Sequence, residues 1–399
     1  MTTLPQNRRE WLCRTWPAVS GAILAGQSAG NAWAAAPTAP VAVARCPSYE
    51  PAQLLSVLGR LFDQLGGLGR MVRGKTVAIK INLTGHPSYR LGYYPLGDSH
   101  YTHPDVIAAT VHLISRAGAR RIRLLESPWA TSDPIEEYLL QADWEPRDIL
   151  SAGNNVEFEN TNFLGRAKKY SRMMVPQGGL LFPGFDLNHS YEDCDFFVSL
   201  AKMKEHSTAG ITLSMKNCFG ITPATIYGTG AGKDEPSILP RGGRDLVHRG
   251  HRQPSRSAPA EKDSASSREG GYRVPRAVVD LVCARPIDLA VVEAVKTMTG
   301  GEGPWQSVPM TVVAPGVIVA GTNPVTTDAV CTSLMGYDPM ADRGTAPFET
   351  CDNTMRLAEE VGLGTRDLKR IEVLGVPISA ARFDFAAIRQ ARKKAPAAG

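Results

Sequence analysis

The sequence predicts an α/β protein: a mostly parallel sheet with helices on both faces. Three observations carry this. Short apolar runs suited to buried strands, such as 76–83 and 195–201, alternate with stretches whose apolar residues recur at helical spacing. That alternation implies parallel strands covered on both sides. Ionisable residues then cluster just past the apolar runs, where ligands sit in parallel α/β sheets.

Taken in order, Leu54, Leu55, Leu58, Leu61, Phe62 and Leu65 form the apolar stripe of a helix over 52–65. A strand follows at 76–83. A helix over 104–117 is opened by Thr102 and Pro104, carries Asp105 in its first turn and stops at Gly118. Next come a strand at 121–126, a short helix at 134–141, a strand at 195–201 and a helix around 208–216 stopped by Gly220. After a polar gap, a helix near 275–283 precedes a strand at 287–293. The run 310–320 reads as two short strands broken at Pro315-Gly316. Helices at 326–335 and 353–361 and a strand at 369–374 complete the pattern.

With 399 residues, of which 43% are hydrophobic and 21% charged, the chain has ample core. The length suits about two to three domains or one large α/β unit, so two α/β lobes remain open. The organisation expected is a signal segment at 1–34, a first α/β part at 41–227 and a long disordered insertion at 228–271. A second α/β part at 272–377 and a flexible basic tail at 378–399 follow. The insertion is rich in Gly, Pro, Ser, Arg and charge and lacks apolar periodicity.

Residues 1–34 read as a twin-arginine export signal. Arg8-Arg9 stands before Trp11-Leu12, a weakly apolar stretch runs from Pro17 to Gly26, and small residues end at Ala34. The apolar stretch is too short to span a bilayer, so no stable membrane span is expected. The expectation is passage through the twin-arginine translocase to the periplasm. Cutting after Ala34 removes three arginines and one glutamate, lowering the formal charge from +5 to +3. Such a small charge, without any nucleic-acid-binding pattern, argues against a nucleic-acid partner. Six cysteines remain and none forms a C-x-x-C pair, so no iron–sulfur motif is written here and buried thiols are expected.

Two phosphate-loop look-alikes are rejected. Gly69 to Thr76 matches G-x-x-x-x-G-K-[ST], but a helix precedes it and a strand follows, the reverse of the order that presents helix amides to an anion. In Gly228 to Lys233 the lysine is followed by Asp234 rather than Ser or Thr.

The stretch Ala201-Lys202-Met203-Lys204-Glu205-His206 is the most informative. In an extended chain Lys202, Lys204 and His206 share one face at the carboxyl end of a strand. Lys80 and Asn82 stand two apart at the end of another strand, and Glu126 and Glu293 end two more. Glu302 lies in the glycine-rich turn 300–304, while Lys216 and Asn217 close the helix after the cluster. Lys80, Lys202, Lys204, His206 and Glu302 are the expected catalytic residues; Asn82, Lys216 and Asn217 are expected to bind substrate. Glu126, Glu293 and His103, with His206 and Glu302, would supply oxygen and nitrogen ligands to a divalent metal. Each has a structural alternative: a paired core lysine, a helix-dipole partner for Lys216, or an N-terminal charge for Asp328.

Several of these segments together resemble the domain of unknown function 362 family. The matching pieces are Gly74 to Asn82, Thr102-His103-Pro104, Ala117-Gly118-Ala119, Glu126-Ser127, Ala201 to His206 and Leu213 to Gly220, then Gly301 to Pro304 and Asp328 to Pro339. The resemblance implies an α/β domain of unsettled activity. Some relatives append ferredoxin-like iron–sulfur segments, which this chain does not carry, and the long insertion at 228–271 is a departure.

Three functions fit these residues. The first is an enzyme acting on a small anionic substrate, with lysines neutralising charge, His206 moving a proton and a glutamate as second acid/base or metal ligand. The second is a non-catalytic periplasmic binder of an anion or metal. The third is a redox partner, against which the lack of clustered cysteines weighs.

Overall fold

Residues 36–394, apart from 130, 166 and 307, are described by a computed structural model. The export-signal reading of 1–34 lies outside them. Eight strands form one sheet: β1 (Val41–Arg45), β2 (Thr76–Lys80), β3 (Arg121–Glu126), β4 (Val156–Asn160), β5 (Phe196–Lys202), β6 (Leu289–Ala294), β7 (Val317–Gly321) and β8 (Val373–Gly375). Their spatial order is β8-β1-β7-β6-β5-β2-β3-β4. β7 runs against both β1 and β6, and the other neighbours are parallel. The eight strands belong to one sheet rather than to two α/β lobes.

Helices cover both faces because alternate residues of each strand point to opposite sides. Val77, Ile79, Val198, Leu200 and Val291 pack against Val57, Leu58, Leu61, Val106 and Ile107 of α1 (Pro51–Gln64) and α2 (Pro104–Arg116). Ala78, Phe197, Ala290, Val292 and Val319 meet α3 (Gly270–Ala284), α4 (Pro324–Leu334) and α5 (Thr354–Glu360) on the other face. Side-chain caps set the starts of α1, α2, α4 and α5. Glu50 accepts from the amides of Ala52 and Gln53, and Asn323 from those of Val325 and Thr326.

The connectivity creates a switch point. From β2 the chain steps outward to β3 and β4, then crosses back to lay β5 on the other side of β2. The connections leaving β2 and β5 diverge to opposite faces, opening a crevice at their carboxyl ends. Asn217 stitches this divergence: its Nδ2 donates to the Lys80 carbonyl of β2 at 3.1 Å and to Ser199 Oγ of β5 at 3.0 Å.

Four expectations are corrected. Residues 208–216 are not one helix: Lys204–His206 and Gly210–Thr212 pair as a hairpin, and only Ser214–Asn217 is helical. The expected strand 76–83 ends at Lys80. The insertion 228–271, expected to be disordered, is folded onto the body. It holds a turn of helix at Asp245–His248 with Leu246 and Val247 buried, and Glu261 forms a fully enclosed ion pair with Arg273 of α3 at 2.6 Å. The tail begins with helices at Ile378–Ala381 and Phe385–Lys394, and Phe385 is buried in the core. Strands β1 and β4 had no sequence expectation; β4 is half-buried and lacks a continuous apolar run. No helix among the described residues is long and apolar enough to cross a membrane.

Candidate functional site

A cavity of about 180 Å³ opens at the switch point. Its floor comes from the ends of β2 and β3. Lys80, only 1% exposed, sits 2.8 Å from Glu126 Oε1 and donates to Asn217 Oδ1 at 3.2 Å and the Ile81 carbonyl at 2.5 Å. Those three acceptors saturate the ammonium. Glu126 is held in turn by the amides of Leu83 at 2.8 Å and Ser127 at 3.0 Å. Lys80 therefore gives the cavity charge but offers a ligand no free donor. A Cβ at Gly220 would lie 2.9 Å from both Lys80 Nζ and Glu126 Oε1, so a side chain there would collide with the pair.

Lys216, on the short helix after the hairpin, enters the same cavity in a different state. Among the described residues it makes no hydrogen bond or ion pair, and its ammonium lies 4.3 Å from the Phe219 ring centroid. Burial pulls its pKa down to about 8; Glu302 opposes the shift, while Arg244 and Lys80 add to it. The helix that carries Lys216 is fixed by Asp328 of α4, which accepts from the Ser214 amide at 2.9 Å, the Ser214 hydroxyl at 2.6 Å and the Met215 amide at 3.0 Å. Asp328 thus caps a neighbouring helix rather than its own. Burial raises its carboxyl to about 7, offset in part by these donors.

The third wall is a carboxylate–imidazole pair. His206 Nδ1 accepts from the Thr208 amide at 3.1 Å, which leaves the proton on Nε2, and Nε2 contacts Glu302 Oε2. Burial lowers the His206 pKa, so this imidazole is neutral at pH 7. For Glu302 burial alone would raise the pKa, but His206 and Lys216 outweigh it and hold the carboxyl below its usual range. Gln306 Nε2 donates to Glu302 Oε1 at 3.1 Å.

Arg244 and His248 close the cavity from the insertion, and sequence reasoning missed both. Arg244 Nε donates to the Thr222 carbonyl at 2.8 Å, and a terminal nitrogen contacts the Ser127 carbonyl. No ion-pair partner for it is present among the described residues. His248 Nδ1 lies 2.9 Å from the Arg244 carbonyl and must be its donor, so Nε2 carries the lone pair. Burial, with Lys216 nearby, lowers the His248 pKa to about 4. A signal existed in Arg244-Asp245-Leu246-Val247-His248, an acidic first-turn residue followed by an apolar pair. Its surroundings of Gly, Pro and Ser obscured it. Trp129 and Trp305 stand at the rim, with ring centroids 6.0 Å apart.

The expected cluster is divided. Lys202 and Lys204 face the same side, as strand alternation requires, but they meet the segment 96–103, which opens with a turn of helix at Leu96–Ser99, and do not line the cavity. Lys202 is fully buried against Glu293 Oε1 at 2.6 Å, the Gly97 carbonyl at 2.6 Å and Tyr49 Oη at 3.3 Å. It and Glu293 are register partners on adjacent parallel strands. Lys204 donates to the His100 carbonyl at 2.7 Å, the Glu302 carbonyl at 3.0 Å and Asn82 Oδ1 at 3.3 Å, anchoring the turn that carries Glu302. Asn82 passes this order on by donating to Asn217 Oδ1 at 2.9 Å. Lys204 is thus a positioning residue and Lys202 part of a core ion pair.

The expected metal ligands are also separated. Glu126 is engaged with Lys80 and Glu293 with Lys202, while His103 stacks on Tyr49 with centroids 3.5 Å apart. Among the described residues no three His, Cys, Asp or Glu side chains come together in a metal-holding set. Cys46, Cys194, Cys218, Cys283, Cys331 and Cys351 are free thiols, and burial pushes Cys218 up to about 12.

A larger hollow lies across His206, lined by Glu205, Gly301, Gln306 and Arg389. Its charges are mutually satisfied: Arg389 reaches Glu205 at 3.5 Å and Glu349 at 3.1 Å. Among the described residues lining the first cavity, Lys80, Lys216 and Arg244 face Glu126 and Glu302 alone, leaving one positive charge in excess with both histidines neutral.

The family described as a domain of unknown function (DUF362) matches residues 77–333, a span that runs from β2 into α4 and encloses the whole cavity. The chain belongs to this family. A thylakoid-associated protein of Synechocystis sp. is 28% identical over 203 residues, covering 49% of this chain and 55% of that protein. The match thus spans about half the length of that curated relative. Among solved structures, a Thermotoga maritima protein is similar over 73% of this chain and 60% of its own, with a TM-score of 0.37 and 12% identity. The lactate racemase apoprotein of Thermoanaerobacterium thermosaccharolyticum covers 69% of this chain and 54% of its own, with a TM-score of 0.30 and 11% identity.

Proposed function

We propose that the protein is an enzyme acting on a small anionic substrate bound in the switch-point cavity. One observation carries the reading: Lys216 and Arg244 enter that cavity with no carboxylate among the described residues in ion-pair contact, beside a Lys80–Glu126 pair that is already satisfied. Enclosed cations without counterions are costly, and an anionic ligand relieves that cost. Arg244 suits a carboxylate or phosphate group, Lys80 adds field strength, and the His206–Glu302 pair with His248 supplies groups able to hold and pass a proton. A non-catalytic anion binder would use the same cations but has no need of the His206–Glu302 pair or of His248.

The test is a thermal-shift panel of small carboxylates, phosphate and sulfate on the mature chain, followed by turnover assays on the anions that bind. An anion at about 100 times its dissociation constant stabilises by about 2.7 kcal/mol, a readily measured shift. Arg244→Gln is expected to keep the fold and lose most of that shift. A panel with no stabilising anion ends the reading; binding without turnover converts it to a carrier.

The Arg8-Arg9 segment supports a periplasmic location reached in the folded state. A resident cofactor or divalent metal, if the enzyme uses one, would have to come with the substrate or bind groups other than Glu126, Glu293 and His103.

A further inference from the structure

We propose that Lys216 is an amine nucleophile and that the anion it serves carries a carbonyl group, as a 2-oxo acid or an aldehyde acid does, so that the two condense to an iminium. This rests on the reading of the cavity as an anion site and narrows its substrate class.

The lysines at the sheet edge divide the roles between them. Lys80 cannot attack anything, because its three N–H groups are taken by Glu126, Asn217 and the Ile81 carbonyl. Lys204 is equally saturated by three oxygens. Among the described residues, Lys216 alone of these lysines has a nitrogen in the cavity with no hydrogen-bond or ion-pair partner, its contact being the face of Phe219. Enclosure brings its pKa to about 8, so roughly a tenth is free amine at pH 7 and about half at pH 8. The titratable and charged groups around it are Glu302, Arg244, Lys80, His206, His248 and Glu126. In a 2-oxo acid the carboxylate and carbonyl are adjacent, which matches an arginine for the charge beside an amine for the carbon.

The step balances without any oxidant or reductant. The lone pair of Lys216 Nζ attacks the carbonyl carbon, a C–N bond forms, and the carbonyl π pair moves to oxygen. The nitrogen gives up a proton to the His248 Nε2 lone pair, which hands it on to the oxygen and so forms the carbinolamine. A second proton, taken from water and equal to the one Lys216 released on becoming a free amine, protonates the hydroxyl, which leaves as water when the nitrogen lone pair closes the C=N bond.

The full chain at pH 8 is incubated with pyruvate, glyoxylate or 2-oxoglutarate and sodium cyanoborohydride, then measured by intact mass and peptide mapping. One reduced adduct is expected, on Lys216, exceeding that on any exposed lysine by at least about tenfold, since an ordinary lysine has about a hundredfold less free amine at that pH. Propionate, acetate or glutarate, which lack the carbonyl, should compete with labelling without being incorporated. Lys216→Arg, which keeps the charge, should lose the adduct. Mapping on the unsubstituted chain decides the matter even if that variant does not fold. Labelling absent, or spread over surface lysines without excess at Lys216, overturns the proposal. If carbonyl-free acids still raise the thermal midpoint in that case, the anion site stands and only the imine falls. If they do not, both fall.

Discussion

Lys216 is fully protonated at neutral pH when the chain is unfolded, and enclosure opposes that charge once the cavity forms. Its folded pKa of about 8 lies below the unfolded value of 10.5. Below pH 8 both states bind the proton and the whole penalty is present. Between about 8 and 10.5 the unfolded state holds more protons, so stability rises with pH. Lys216→Met should therefore stabilise the protein at pH 7 by about 1–2 kcal/mol, less than the full shift implies because the side chain is partly exposed. That gain should fade as the pH passes 10, and denaturant titrations at pH 7 and pH 10 measure both values. An equal gain at both would mean that the ammonium is not penalised. Lys202 behaves oppositely, since Lys202→Met strands Glu293 as a buried carboxylate and should cost about 3–5 kcal/mol. A variant with the parent's unfolding midpoint would remove Lys202 from the core ion pairs.

At the scale of elements, the insertion is the segment whose behaviour the structure reverses. Arg273 on α3 is fully buried and its two terminal nitrogens grip Glu261 of the insertion at 2.6 and 3.1 Å. Glu261→Ala should leave a buried guanidinium unpaired and destabilise the whole chain by about 3–5 kcal/mol, seen as a drop in the thermal midpoint. Were the insertion merely a solvated loop, the same change would leave the midpoint where it was. The hairpin 204–212 gives a second lesson at this scale. From sequence, its second half is expected to begin a helix over 208–216 stopped by Gly220. Yet pairing of Lys204 with Thr212 and His206 with Gly210 satisfies the backbone instead, delaying the helix to Ser214 where Asp328 caps it.

Across the whole molecule, helix-covered parallel strands were legible because parallel strands buried on both faces leave continuous apolar runs, as in 76–80 and 196–201. Lys80, Asn82, Glu126, His206, Lys216, Asn217 and Glu302 were legible as cavity residues because strand ends and following turns are where such sheets bind ligands. Arg8→Lys with Arg9→Lys should leave the precursor in the cytoplasm with its signal uncut, which fractionation and mass measurement would reveal, and normal export of that variant would refute the twin-arginine assignment. By itself the sequence determined the layers, the family likeness and the edge of the sheet at which chemistry gathers, since these follow from local periodicity and strand direction. Which cations remain unpaired was decided only by tertiary structure. Whether Lys202 meets Glu293, Lys204 meets three oxygens, or Lys216 meets an open cavity with Arg244 depends on partners about 90 to 120 residues away or on a neighbouring loop. A lysine's charge is written in the chain, but the groups that neutralise it are chosen by packing.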